Sequence, residues 1–506
     1  MDESTSMYQD RASIERLASP AQGSLWRLLA ALAVLGTGIA VVVGGHRVAR
    51  SEVPAVESTP IPQFIGVDSC ASASCHGDVG SAADSSCAYT TWASNDPHAR
   101  AYQVLFNERS QQMLSRLGIA VDDTASPAYF QALREQRCLY CHGTATPSDG
   151  GVEPDEAIVS QGVGCEMCHG PARQWLLPHF QDPHWSDRGP AEKSRLGMVD
   201  MANLPLRVRT CTKCHVGASG MDVNHDLIAA GHPRLTFEAA AYHALWPKHW
   251  DYAEQRLADP GLPTQLWKIG QQQSAVAATE LLHQRAQHAA DGGTWPELAE
   301  YDCYACHHSL ADQAWRKRRY ESEGLTGGLP WNEWYTAMLP SLATGTASPQ
   351  AHAALNSLKK LRNAMTKGDY PTPSAQQVAD TSREALNRLQ DWIASEAAAP
   401  VVTGELIAAV GESGPTSDLG TWDAMTQRYL ALVALADGAR VPLSDPVYED
   451  LRKLRKLLTF PTVRESIDQK RRTIDYDSPA TFEPRDVQQL LEKIESRLIA
   501  NDANEP

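Results

Sequence analysis

The placement of the cysteines constrains this chain more than any other feature. Of 11 cysteines, ten form five close pairs, and each pair is followed at once by histidine. The pairs are Cys70-Ala-Ser-Ala-Ser-Cys75-His76, Cys138-Leu-Tyr-Cys141-His142, Cys165-Glu-Met-Cys168-His169, Cys211-Thr-Lys-Cys214-His215 and Cys303-Tyr-Ala-Cys306-His307. Four read C-x-x-C-H, the first has four intervening residues, and only Cys87 is left over. A disulfide framework gives no reason for the adjacent histidines. Zinc ribbons use C-x-x-C pairs, two per metal, but do not require His directly after the second Cys. A thioredoxin-like redox role needs one such motif in a βαβ setting, not five. Two thiols one short turn apart can add to the two vinyl groups on one edge of a haem. The next residue then passes beneath the ring, where its imidazole binds iron. The pattern predicts five covalent c-type haems, with His76, His142, His169, His215 and His307 as proximal ligands; at the first site the longer loop must bulge.

Five proximal ligands leave five opposite iron faces. Fifteen of the 17 histidines lie between residues 64 and 309, a surplus that points to bis-His coordination. His98 follows Asp96-Pro97, where Pro97 can open a helix. His179 follows the third site closely, in CHGPARQWLLPH. His225 and His232 are seven apart, which on a helix would place them on one face. These four are the leading distal ligands, and His249, in Trp246-Pro-Lys-His249-Trp250, is the fifth candidate. His184, His243, His283, His288 and His308 read as ordinary solvated or hydrogen-bonded histidines.

The setting of His98, the second C-x-x-C-H, the segment Gly162-Val-Gly-Cys165-Glu-Met-Cys168-His169-Gly-Pro-Ala-Arg173 with His179, and Cys211 to His215 resemble the tetrahaem cytochrome c-554 group. That group shares its haem arrangement with the multihaem hydroxylamine oxidoreductases. The resemblance covers roughly residues 64–250. It implies stacked haem pairs, mostly bis-His irons, and electron transfer. Three features depart from the tetrahaem pattern: the longer first loop, the added fifth site at His307, and the following stretch without haem motifs. In the family the haem matching His142 can be five-coordinate, and the resemblance leaves both states open here.

Haem is attached outside the cytoplasm in bacteria, so the bulk of the chain must be exported. Residues 28–45 (LLAALAVLGTGIAVVVGG) are uncharged and almost wholly apolar. They span about 27 Å as a helix, near the lower limit for crossing a bilayer. No small-x-small cleavage site follows, so the run reads as an uncleaved signal anchor rather than a cleaved signal. The expected organisation is a cytoplasmic tail (1–27), a transmembrane anchor (28–45), a Pro/Glu/Ser-rich linker (46–63), a pentahaem domain (64–309) in the periplasm, and a haem-free helical domain (310–506). The anchor would sit in the inner membrane as a single pass. With 61 acidic against 45 basic residues, a net charge of −16, the chain is a poor nucleic-acid binder, and its partners are expected to be redox proteins.

The expected fold class is mainly α. A cytochrome domain of short helices and long loops, its core largely haem, precedes an all-α bundle. Segments 351–367, 374–397, 422–436, 446–458 and 484–500 carry helical stripes, such as Val487, Leu490, Leu491, Ile494 and Leu498. Arg100, Arg173 and Arg234, each near a ligand, are candidate propionate partners. The leading functional reading is electron transfer. The alternative is an oxidoreductase acting on a small nitrogen or sulfur compound at one five-coordinate haem. The holoprotein mass is expected to exceed that of the polypeptide by five haem masses, with the colour resisting acid–acetone extraction. A count of four would remove the first, longer-looped site.

Overall fold

The computed structural model describes residues 64–120, 123–145, 147, 155–307, 329–346, 348–366, 373–396, 401–412, 421–459 and 484–502. The expected tail, anchor and linker, His308, and the basic run at residues 316–319 lie outside the described residues. No helix among the described residues is long and apolar enough to cross a membrane. Those residues form helices, with two isolated bridges, Ala218 to Met221 and Tyr301 to Trp331, and no strand.

Between residues 64 and 258 the helices are short, and local chemistry sets their ends. Side-chain oxygens of Asn107, Ser126, Asn203, Asn224 and Glu238 accept backbone N–H groups at the helix starts that follow them. Pro127 and Pro205 occupy first-turn positions, where a missing N–H is harmless. Gly162 (φ 83°) lies against the carbonyls of His98 and Ala99, which a Cβ would meet at 2.7 and 2.8 Å. The contact is sealed by the Val163 N–H donating to the His98 carbonyl at 3.0 Å. The glycine-rich run before the third site therefore serves to dock that site on the His98 segment. Side-chain cores here are small. One gathers Leu105, Leu114, Tyr129, Leu133 and Leu139, and another Ala172, Trp175 and Trp185.

One element departs from the expectation of short helices and long loops throughout residues 64–309: a 29-residue helix, Leu262–Ala290. It carries no apolar stripe to read, because it is buried on most sides and part of its buried surface is polar. Gln271 Nε2 donates to Gln427 Oε1 at 3.0 Å, and Lys268 Nζ pairs with Glu396 Oε2 at 3.0 Å. At Gly270 the helix meets Ala239 so closely that a Cβ would overlap it. The long helix thus packs against helix Ala239–Leu245 and also braces Leu204–His215.

The same helix lies along Ala375–Glu396, which packs on Pro349–Thr366. Trp422–Gly438, Pro446–Leu458 and Pro484–Asp502 complete the array, close to the bounds expected from their stripes. Val487, Leu491, Ile494 and Leu498 are buried, and Leu490 packs at the edge. Leu339–Thr346 and Thr403–Glu412 are additional helices, which the periodicity did not mark. One apolar core runs from Val208 and Trp267 through Trp392 to Leu498. It therefore takes in residues on both sides of the boundary expected at 309/310.

A bidentate ion pair ties this array together. Arg428 Nε and Nη2 reach Glu495 Oε1 and Oε2 at 2.5 and 2.6 Å, with side chains 3% and 5% exposed. Arg428→Leu is expected to cost about 3–5 kcal/mol, because Glu495 is left buried without a countercharge. Adding Glu495→Leu should recover most of that loss, as read by chemical denaturation.

Candidate haem centres

Three C-x-x-C-H sites end a helix. Leu139–His142 and Cys165–His169 are single turns, and Leu204–His215 is longer. In a helix, residues three and four apart lie on neighbouring positions of one face, so both thiols and the imidazole emerge together. Cys303–Cys306 repeats this at the fifth site. The first site has no helix: its loop closes through Cys75 N–H and Gly77 N–H donating to the Ser72 carbonyl at 2.8 and 2.9 Å. Such a loop is what two extra residues between the thiols require.

Four proximal histidines each face one distal candidate. Ring centres are 6.3 Å apart for His76 and His179, 6.4 Å for His142 and His232, 6.2 Å for His169 and His249, and 6.1 Å for His215 and His98. An atom bonded axially to two imidazoles sets their centres about 6.4 Å apart. That distance comprises two metal–nitrogen bonds of about 2.0 Å and about 1.2 Å from each nitrogen to its ring centre. Both ring planes contain the axis, so the angle between them is free, and it ranges here from 15° to 87°. The residues therefore fit a metal held between paired rings. Zinc bound by protein alone takes four ligands; among the described residues, no group of three or more His, Cys, Asp or Glu is arranged to hold an ion.

Hydrogen bonds at the other ring nitrogen prepare these histidines. Nδ1 meets the carbonyl of Ser85 for His76 (2.7 Å), Ala101 for His142 (2.9 Å), Leu176 for His179 (2.5 Å) and Pro233 for His232 (2.8 Å). A carbonyl only accepts, so Nδ1 carries the proton and Nε2 keeps its lone pair. For five of these histidines burial favours the neutral ring, the form that binds metal. It pushes His169 and His215 down to about 4, helped by neighbouring histidines, and lowers His142, His232 and His249 as well. Burial likewise raises Cys138 and Cys211 to about 11 and Cys168 to about 12, which disfavours the thiolate at these positions before haem is attached. Cys70 is hydrogen-bonded to Cys165, and Cys141 to Cys214. The first site thus adjoins the third, and the second adjoins the fourth.

His225 stands apart from these pairs. Its backbone N–H donates to Glu297 Oε1 at 2.8 Å, and no ring contact joins it to His307 among the described residues. It does not share a helical face with His232, because helix His225–Ala230 ends at Gly231 (φ 127°). Of the remaining histidines, His243 is buried against Arg207 Nη1 at 3.2 Å, and His283 Nδ1 meets the Ala379 carbonyl at 2.9 Å. His184 is exposed beside Asp187, and His288 packs on Gly293. Arg234 is bound bidentately by Asp423 at 3.2 and 2.7 Å and also reaches Asn332, so its guanidinium is engaged by protein groups. Arg100 and Arg173 are exposed. Cys87 is buried and accepts the Gly80 N–H at 3.0 Å.

Three groups at the site escaped notice in the sequence. Asp96 is buried and accepts from His98 and Trp246. Burial pushes its carboxyl up, but the hydrogen bonds and charge of His98 outweigh that and hold it below its ordinary value. Arg207 and Lys248 are cations beside the His169/His249 pair; Asp200 acts on Arg207, and Lys248 Nζ donates to the carbonyls of His243 and Trp246. Burial, followed by Arg207, lowers Lys248 to about 8. The Asp-Pro-His spacing was the signal for Asp96, and Lys248 directly precedes the candidate ligand His249, whereas Arg207 is far from His169 along the chain.

Residues 69–170 match the family described as cytochrome c554 and c-prime. The match takes in the first three attachment sites and His98. It supports a multihaem c-type cytochrome with covalently bound haem and a haem-based redox role. No curated protein and no solved structure matches the chain.

Glu166, within the third site, is buried at 3% exposure. Its carboxylate accepts the N–H groups of Ile65 (3.1 and 3.0 Å), Gly66 (2.8 Å) and Ala172 (2.7 Å). It pins the strand of chain leading to the first site onto the third. Glu166→Ala is expected to cost at least about 3 kcal/mol, since it strands backbone donors. Thermal melting should show the loss, with incomplete haem loading at Cys70/Cys75, and Glu166→Gln should be milder.

Proposed function

We propose that this protein is a membrane-anchored pentahaem c-type cytochrome that passes electrons between redox partner proteins. The observation that carries this reading is the set of four histidine pairs at axial-ligand spacing. Residues 28–45 anchor the chain in the inner membrane, with the haem domain in the periplasm. Bound haem supplies a one-electron iron couple at each site. The chain supplies covalent attachment through its ten paired cysteines and two imidazoles per iron, with protonation fixed through Nδ1. Filled axial positions change little on electron gain or loss, which suits rapid transfer.

On this reading His179 serves the first iron, His232 the second, His249 the third and His98 the fourth, supported by the ring pairs. His225 is the distal ligand for the His307 iron. Its anchor Glu297 lies just before Cys303, and a cavity lined by Val216, Val223, Ile228, Leu235, Ala299 and Trp331 adjoins both segments. His232 facing His142 also speaks against a substrate position at the iron where the resembled family can keep one.

The resting protein is expected to show only low-spin iron by electron paramagnetic resonance. His232→Ala should create one high-spin iron, keep all five haems attached and raise one reduction potential. If every iron stays low-spin in this variant, the His142/His232 pair is not an iron site. A high-spin iron in the unaltered protein would favour a substrate-binding haem instead.

A further inference from the structure

The paired histidines differ in what holds their second nitrogen. His76, His142, His179 and His232 meet backbone carbonyls. His98 Nδ1 meets Asp96 Oδ1 at 2.8 Å, and its backbone N–H donates to the same oxygen at 3.0 Å. Asp96 Oδ2 accepts from Trp246 Nε1 at 2.8 Å, and the residue is 4% exposed. A carboxylate attracts the shared proton more strongly than a neutral carbonyl does. The imidazole then carries more negative charge, and its Nε2 becomes a stronger donor. Ferric iron bears one more positive charge than ferrous iron, so both the stronger donor and the buried anion favour the ferric state. Among the described residues His169 and His249 have no hydrogen bond to a carboxylate; Asp96 acts on His249 only through space, and Arg207 and Lys248 add positive charge there. The third and fourth sites are neighbours, with Cys168 close to Cys211 and Cys214.

We propose that Asp96 makes the iron between His98 and His215 the lowest in potential of the four paired sites, so that electrons run downhill from it to the iron between His169 and His249. Asp96 acts through His98, as a positioning and charge-setting residue. This inference rests on the bis-His reading above.

The test is a redox titration of the holoprotein that follows individual irons by electron paramagnetic resonance. Asp96→Asn keeps the shape and the acceptor for the His98 N–H but removes the charge. It is expected to raise the lowest of the four potentials by about 59 mV, a tenfold change in the ferrous-to-ferric ratio. The His169/His249 iron, which Asp96 reaches only through space, should rise by less, and the His76/His179 and His142/His232 irons should barely move. Trp246→Phe removes a contact to Asp96 and leaves the charge, so it should not reproduce the rise. An unchanged lowest potential in Asp96→Asn, or an equal rise in Trp246→Phe, overturns the proposal. His98→Ala separates the two levels of the argument. If it opens a high-spin iron while Asp96→Asn does nothing, the charge-setting role fails and the ligand reading stands. If it leaves all irons low-spin, both fail.

Discussion

Four pairs of imidazoles hold their ring centres 6.1–6.4 Å apart, and much of this fold serves that distance. His98 must reach His215, and His249 must reach His169, across long stretches of chain. Backbone hydrogen bonds, close glycine contacts and a buried carboxylate bring these segments together. The docking of Gly162 on the His98 carbonyl and the grip of Glu166 on Ile65, Gly66 and Ala172 act on the backbone near the ligands. Small displacements matter here because a metal–nitrogen bond tolerates only a few tenths of an ångström.

The side-chain cores around the ligands are small, so this half of the molecule is not held by apolar side chains alone. Haem is a large apolar disc and supplies burial that side chains would otherwise provide. The rest of the support comes from elsewhere in the chain. Leu262–Ala290 contacts helices Ala239–Leu245 and Leu204–His215 on one side and Ala375–Glu396 on the other. The helices beyond residue 348 therefore share a core with the segment that ends in His215. Trp334 extends the link, with its Nε1 donating to the Phe237 carbonyl at 3.0 Å while Phe237 stacks on His215. The C-terminal array is thus coupled mechanically to the fourth centre.

Electrostatics distinguishes centres that share one ligand chemistry. Burial keeps His169 and His215 neutral, but their surroundings differ. Asp96 is hydrogen-bonded to His98 and acts on His249 only through space, where Arg207 and Lys248 add positive charge. In a medium of low polarity such charges act strongly over short distances. The difference arises from three side chains and needs no change of axial ligand.

The sequence by itself determined what is local. Thiols three apart with the next residue histidine form a unit within one helical turn, so the shape of those four motifs was legible, while the first, with thiols five apart, forms a loop. The helices after residue 348 were legible wherever one apolar face met one polar face. Which distal histidine faces which proximal one was decided only by tertiary structure, since His98 and His215 belong to distant segments and no periodicity links them. The same holds for Asp96 with Trp246 and for the paired thiols of Cys70 and Cys165. The Leu262–Ala290 helix was hidden for a related reason. Its buried Lys268 and Gln271 find partners at Glu396 and Gln427, far along the chain, so its surroundings are a property of the fold and leave no stripe in the sequence.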